Sequence, residues 1–342
     1  MTTTGDGTEA VLRAEPPDPG ELPQRRRRGL TSSELLFVVV LAAFLLRPFL
    51  GGIADDPAVQ TWATIFVSIA VQALPFLVLG VLVSGAITAY VPPSVFRKVL
   101  PSNPSAAVPV AGAAGLLLPG CECGSVPVAG GLLSRGVPPA AAFTFLLSAP
   151  AINPIVLVAT AVAFPGRPEF VLARFVASLG TAIIVGLLWA RFGQERWVRI
   201  QRRPEIVSGA RWPTFLDTAR HDFLHAGGFL VVGALLAATL NVVVPRGLYE
   251  SVASDPVLGV LALVALAVLM SICSEADAFI AASLPEFSPV ALLAFMVVGP
   301  MVDLKLVALQ AGTFGRQFAV RFAPTTLVIA VGMSTLVAWW LL

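Results

Sequence analysis

Pro119-Gly120-Cys121-Glu122-Cys123-Gly124, followed at once by Ser125-Val126-Pro127, sits in the middle of an otherwise apolar run at 106–134. Proline removes a backbone donor and clashes with the preceding turn, and glycine permits turning, so a helix entering this stretch has to break there. The side chains are as unusual as the backbone: a carboxylate between two thiols, within a segment long and apolar enough to enter a bilayer. Non-helical backbone at membrane depth is tolerated only where protein or a watery cavity surrounds it. The stretch therefore predicts a broken helix buried in an all-α polytopic membrane protein.

Composition points the same way. Of 342 residues, 57% are apolar and only 12% are charged, where a soluble domain carries roughly a quarter charged residues to wet its surface. The charges are clumped at Arg25 to Arg28 and from Arg191 to Arg203. Apolar runs recur at 34–50, 62–90, 106–134, 138–165, 170–190, 222–244, 257–284, 289–314 and 322–342, each at or near the length of a span. A soluble protein with buried helices would need polar faces that these runs lack. The three cysteines are an odd number in apolar segments, which argues against a disulfide framework and for free thiols or soft-metal ligands. A net charge of +2 gives no argument for a nucleic-acid partner.

Charge bias sets the expected topology. Residues 1–29 read as a disordered cytoplasmic tail and 30–56 as a retained signal-anchor span, because no small-residue cleavage site follows the arginines. With a cytoplasmic N-terminus at the plasma membrane, nine simple crossings would place the basic loop at 193–220 outside, against the positive-inside rule. The conflict disappears if 106–134 and 257–284 enter and leave on one side, the second broken near Ser271-Ile272-Cys273-Ser274-Glu275. The expectation is about seven full spans plus two broken or re-entrant hairpins.

The halves also resemble each other. Phe76-Leu-Val-Leu-Gly80 recurs as Phe229-Leu-Val-Val-Gly233, Cys121 matches Cys273, Ala149-Pro150-Ala-Ile-Asn153 matches Gly299-Pro300-Met-Val-Asp303, and Phe164 matches Phe314. A first repeat at 62–192 and a second at 221–342 follow. On the expected topology they are inverted, the arrangement in which broken helices meet near the midplane to form a solute site.

The residues with chemistry lie at these breaks. Cys121 and Cys123 converge on one ligand only if the backbone is irregular, because residues two apart diverge on a regular helix. Pseudo-symmetry would bring Cys273 to the same place, and three thiolates suit a soft species such as trivalent arsenic or a d10 metal ion. Buried cysteine as a small interior residue is the plainer alternative. Glu122, Glu275 and Asp277 sit at the breaks and Asp303 in a span, with Lys305 close by; intramembrane carboxylates mark ion or proton pathways unless merely paired. Asn153, aligned with Asp303, is expected beside the first break. His221 and His225 have metal-ligand spacing but read as interfacial, and Arg174 and Trp339-Trp340 read as interface anchors. No phosphate-binding loop, His-Glu-x-x-His or Cys-x-x-Cys occurs, so no cofactor and no enzymatic role are expected.

Leu118-Pro-Gly-Cys-Glu-Cys-Gly-Ser-Val-Pro-Val-Ala-Gly-Gly-Leu132, Gly136-Val-Pro138 and Phe145-Leu-Leu-Ser-Ala-Pro-Ala-Ile-Asn-Pro154 resemble the predicted-permease family that includes the organoarsenical exporter ArsP. So do Ser274-Glu-Ala-Asp-Ala-Phe-Ile-Ala-Ala-Ser283 and Gly299-Pro-Met-Val-Asp303. The resemblance covers about 65–320. It implies a permease, with Cys121, Cys123 and Gly124 as the core motif and Glu275, Asp277 and Asp303 as that of the second half. It also leaves open a second membrane subunit or a homodimer beside the lipid bilayer and the small solute or ion. The expected activity is secondary transport, with Cys121, Glu122, Cys123, Gly124, Asn153 and Cys273 around the solute and Glu275, Asp277 and Asp303 coupling it to protons or ions. The alternatives are an intramembrane thiol oxidoreductase using Cys121 and Cys123, and a channel.

Overall fold

A computed structural model describes residues 56–92, 94–95, 98, 100–101, 103–117, 121–199, 211–243 and 255–342. The tail at 1–29, nearly all of the signal-anchor at 30–56, Pro119-Gly120 and Arg202-Arg203 lie outside the described residues. Twelve α-helices and no strands occur among those described: α1 Pro57–Tyr90, α2 Pro104–Ala114, α3 Glu122–Ser134, α4 Pro139–Ile152, α5 Pro154–Ala163, α6 Pro168–Phe192, α7 Arg211–Val243, α8 Pro256–Met270, α9 Asp277–Ala282, α10 Pro289–Val298, α11 Leu304–Phe314 and α12 Arg316–Leu341.

Five helical stretches are long and apolar enough to cross a membrane: Pro57–Tyr90, Pro139–Ala163, Pro168–Phe192, Arg211–Leu240 and Arg316–Leu341. At about 1.5 Å per residue the 34 residues of α1 exceed the ~30 Å hydrocarbon core. The 15 residues of α8 reach only about 22 Å, so alone they fall short. Val67, Val71, Leu74 and Val78 on α1 and Val320, Val328 and Leu336 on α12 are exposed, a surface suited to lipid and unsuited to water.

Proline shapes this fold as a helix starter as much as a breaker. Asp56-Pro57, Asn103-Pro104, Asn153-Pro154, Asp255-Pro256 and Ser288-Pro289 each place a capping side chain before a proline that opens a helix. The cap oxygen takes an orphan N–H, and proline at the first position has no N–H to orphan. Two of the apolar segments are divided internally. The segment 138–165 is divided at Asn153 into α4 and α5, so Asn153 forms its own break. The segment 289–314, expected as one span, is α10 and α11, parted by Gly299 to Asp303. Helix α7 also starts at Arg211, inside the stretch expected as loop.

The long helices α1 and α7 pack together, as do α6 and α12, and the short helices lie among them. An aromatic cluster joins the halves: Phe143 of α4 stands 4.5 Å from Phe318, 5.4 Å from Phe314 and 5.0 Å from Trp189 between ring centroids. At this end the described part of the basic loop folds back. Arg199 N–H donates to Phe314 O at 2.8 Å, and Arg321 lies 4.8 Å over the Trp197 ring.

Candidate functional site

The second break is fully described. Helix α8 ends at Met270, and Ser271 takes φ 49°, the one positive value at a non-glycine among the described residues. From that left-handed residue the chain runs through irregular and turn backbone at 271–276 to α9. At the first break, Cys121 is extended (φ −81°, ψ 175°) and Glu122 opens α3, with Gly124 N–H donating to Cys121 O at 3.1 Å. Gly124 is required by close approach: a Cβ there would meet Phe76 O at 2.7 Å.

The two breaks meet. Ligand atoms of Cys121, Glu122 and Cys273 all lie within 4.8 Å of one another, and all three residues are buried. The Cys121 thiol faces both Cys123 and Cys273. Cys123 is fully buried and beside Cys121, yet it falls outside the compact trio. Cys121 thus adjoins both of the other thiols, and the group whose ligand atoms are all mutually close is Cys121, Glu122 and Cys273.

Lys305 is the charge at the centre. Its Nζ lies 2.6 Å from Glu122 Oε1, 3.8 Å from Asp303 Oδ2 and 4.0 Å from Cys273 Sγ, and it donates to Ser271 O at 2.7 Å. The last contact sets a cation on the negative end of α8. The approach to Glu122 has ion-pair distance without hydrogen-bond alignment, and Glu122 Oε2 is buried with no hydrogen-bond partner. Asp303 Oδ1 caps α11 by accepting from Leu306 N–H at 2.7 Å, while its Oδ2 has no hydrogen bond. Two carboxylates and one ammonium therefore occupy a region from which water is excluded, where an unpaired charge costs several kcal/mol.

A second ion pair braces the second break. Arg174, read from sequence as an interface anchor, is fully buried. Its two terminal nitrogens donate to Asp277 Oδ1 and Oδ2 at 2.8 and 2.7 Å, and further to Thr160 Oγ1 at 3.0 Å and Ser274 O at 3.2 Å. Both Asp277 oxygens are thereby engaged. Glu275 is half-buried with neither oxygen hydrogen-bonded. Asn153 accepts from Val156 N–H at 3.0 Å and donates to Ala149 O at 3.1 Å, joining α4 to α5. His225 Nε2 sits 3.1 Å from Gly312 O, with the His221 ring stacked 6.1 Å away.

Sequence reasoning did not identify Lys305 or Arg174 as site residues. The available signal was an isolated cation within an apolar run, the same signal that singled out the carboxylates. The repeated Phe-Leu-Val-x-Gly motif also acquires a reason. A Cβ on Gly80 would lie 2.5 Å from Gly124 Cα, and one on Gly233 would lie 2.5 Å from Lys305 Cα. Each glycine lets a long helix press on the first turn of a helix that carries the site.

The helices and their apolar surfaces define a polytopic membrane protein. It belongs to the ArsP-type predicted-permease family, whose model matches residues 59–338. It is 34% identical over 275 residues to a two-component membrane permease complex subunit from Streptococcus mutans, covering 78% of this chain and 91% of the relative. It is also 34% identical over 281 residues to UPF0718 protein YcgR from Bacillus subtilis, covering 80% of this chain and 96% of that one. No solved structure matches it. With permeases as its family, the chain is a membrane transporter.

Proposed function

We propose that the protein is a secondary permease of the plasma membrane, moving a small thiophilic solute through the Cys121–Glu122–Cys273 site with a proton as coupling ion. The observation that carries this reading is the meeting of ligand atoms from two separate breaks, one in each half, within 4.8 Å of one another in a buried setting. Two soft thiols and one carboxylate suit a soft metal or metalloid species. The recurring order of long helix, two pairs of short helices and long helix supports reading the halves as inverted repeats. Alternating access would then expose the shared site to each side in turn. The packing of Arg199 and Arg321 at one end supports a common cytoplasmic face for the basic segments, with the N-terminus on that side.

Glu122 and Asp303 are the coupling groups in this reading, because both Glu122 oxygens and Asp303 Oδ2 are buried without a hydrogen bond. Glu275 stands at the approach. Asp277 is assigned to positioning, since Arg174 holds both its oxygens. The relative named as a two-component complex subunit supports a second membrane subunit here as well. Transport of Cd2+ and of trivalent arsenicals into everted vesicles tests the reading. Cys121→Ser and Cys273→Ser should each abolish uptake without lowering the yield of folded protein, and unchanged uptake would dismiss the thiol site. Asp303→Asn keeps an N-cap residue and removes the charge, so the protein should still fold while uptake no longer responds to the proton gradient.

A further inference from the structure

The Lys305 ammonium has a shell resembling that of a bound ion. Glu122, Asp303, the Ser271 carbonyl and the Cys273 sulfur surround it at 2.6 to 4.0 Å. Two of these four, Glu122 and Cys273, also belong to the ligand trio. An ammonium on Glu122 Oε1 and a soft cation on the same carboxylate would stand within a few ångströms of each other, and in a low-dielectric interior their repulsion sets the two in competition. Glu122 is fully buried, and among the described residues its ion pair is with Lys305 alone, so leaving it bare would be costly.

We infer that Lys305 is a tethered substitute for the cargo, occupying Glu122 when the site is empty and withdrawing to Asp303 when a soft cation binds. This inference rests on the transport reading above and narrows its substrate to a cationic species, because a neutral solute has no charge with which to replace the ammonium. The backbone favours a motion confined to the side chain. Asp303 caps the first turn of α11, and Gly233 of α7 lies directly against Lys305 Cα. The four-carbon stem is flexible, and Asp303 Oδ2 is already 3.8 Å from Nζ, with the Ser271 carbonyl accepting from it at 2.7 Å. Return of the ammonium to Glu122 removes the hard ligand from the cargo and so drives release.

Cd2+ is a suitable probe, since its thiolate complexes absorb in the ultraviolet. Purified full-length wild type, Lys305→Gln and Lys305→Met are titrated with Cd2+ in detergent, and Cd2+ uptake is followed in proteoliposomes. Gln keeps a donor for Ser271 O, so it covers the case in which Met fails to fold. The expected result is Cd2+ binding about tenfold tighter or more in the variants, together with lower KM and lower kcat for uptake, because the bound ion is no longer expelled. Binding by wild type with equal or weaker binding by Lys305→Gln overturns the inference and leaves the transport site standing. Absence of Cd2+ binding in both, with folded protein, overturns the inference and the soft-cation site together.

Discussion

The Arg174–Asp277 pair offers the most direct energetic test of how the second break is held. Arg174 is fully buried and Asp277 nearly so, and two hydrogen bonds of 2.7 and 2.8 Å join them in fork geometry. Removing one partner of such a pair leaves an uncompensated buried charge, which costs about 3–5 kcal/mol. Arg174→Met should leave the Asp277 carboxylate among apolar groups, and Asp277→Leu should leave the guanidinium with only Thr160 and the Ser274 carbonyl. With about 2.1 cal/mol/K of unfolding entropy per residue, a chain of 342 residues shifts by about 1.4 °C per kcal/mol, so each single change should lower Tm by roughly 4–7 °C. The double variant Arg174→Met/Asp277→Leu contains no stranded charge and should recover most of that loss, giving a coupling energy of about 2 kcal/mol or more. Thermal and denaturant unfolding in detergent, followed by tryptophan fluorescence, measures all three. Single variants that lose less than about 1 kcal/mol, or a double variant that loses the sum of the two, would refute the argument.

Three further outcomes follow from the packing. Gly233→Ala places a methyl 2.5 Å from Lys305 Cα and should destabilise by about 1–3 kcal/mol, whereas Gly228→Ala on the same helix meets nothing within 4 Å and should be neutral or stabilising by about 0.5–1 kcal/mol; melting curves of the two separate crowding from helix propensity. Asn153→Ala removes the cap of α5 and should lower stability by about 1 kcal/mol, with Asn153→Asp retaining it; equal losses in the two would rule out the capping role. Cys121→Ser should abolish the Cd2+–thiolate absorbance at an unchanged Tm, and a band persisting at full strength would place the ion elsewhere.

Much of the helical framework is legible in the chain. Apolar runs mark the long helices, and the break at Ser271 to Ala276 falls where the polar run after Met270 predicts it. Division of the segments at Asn153 and Asp303 was also legible as a capping residue at a junction, yet apolar continuity on both sides concealed it. Asp303 and Lys305 illustrate the limit. Two positions apart, they read as partners, but the closest carboxylate to Lys305 is Glu122, from the other half of the chain.

What the sequence determined by itself is the set of local decisions. Hydrophobic length and the cap–proline starts act through neighbours along the chain. Tertiary structure decided which charges meet. Lys305 reaches Glu122 because Gly233 admits α7 against α11 and Gly80 admits α1 against α3. Arg174 reaches Asp277 because α9 packs on α5, which in turn packs on α6. Buried charges select partners by proximity in a low-dielectric interior, and that proximity exists only after helices distant in sequence have packed.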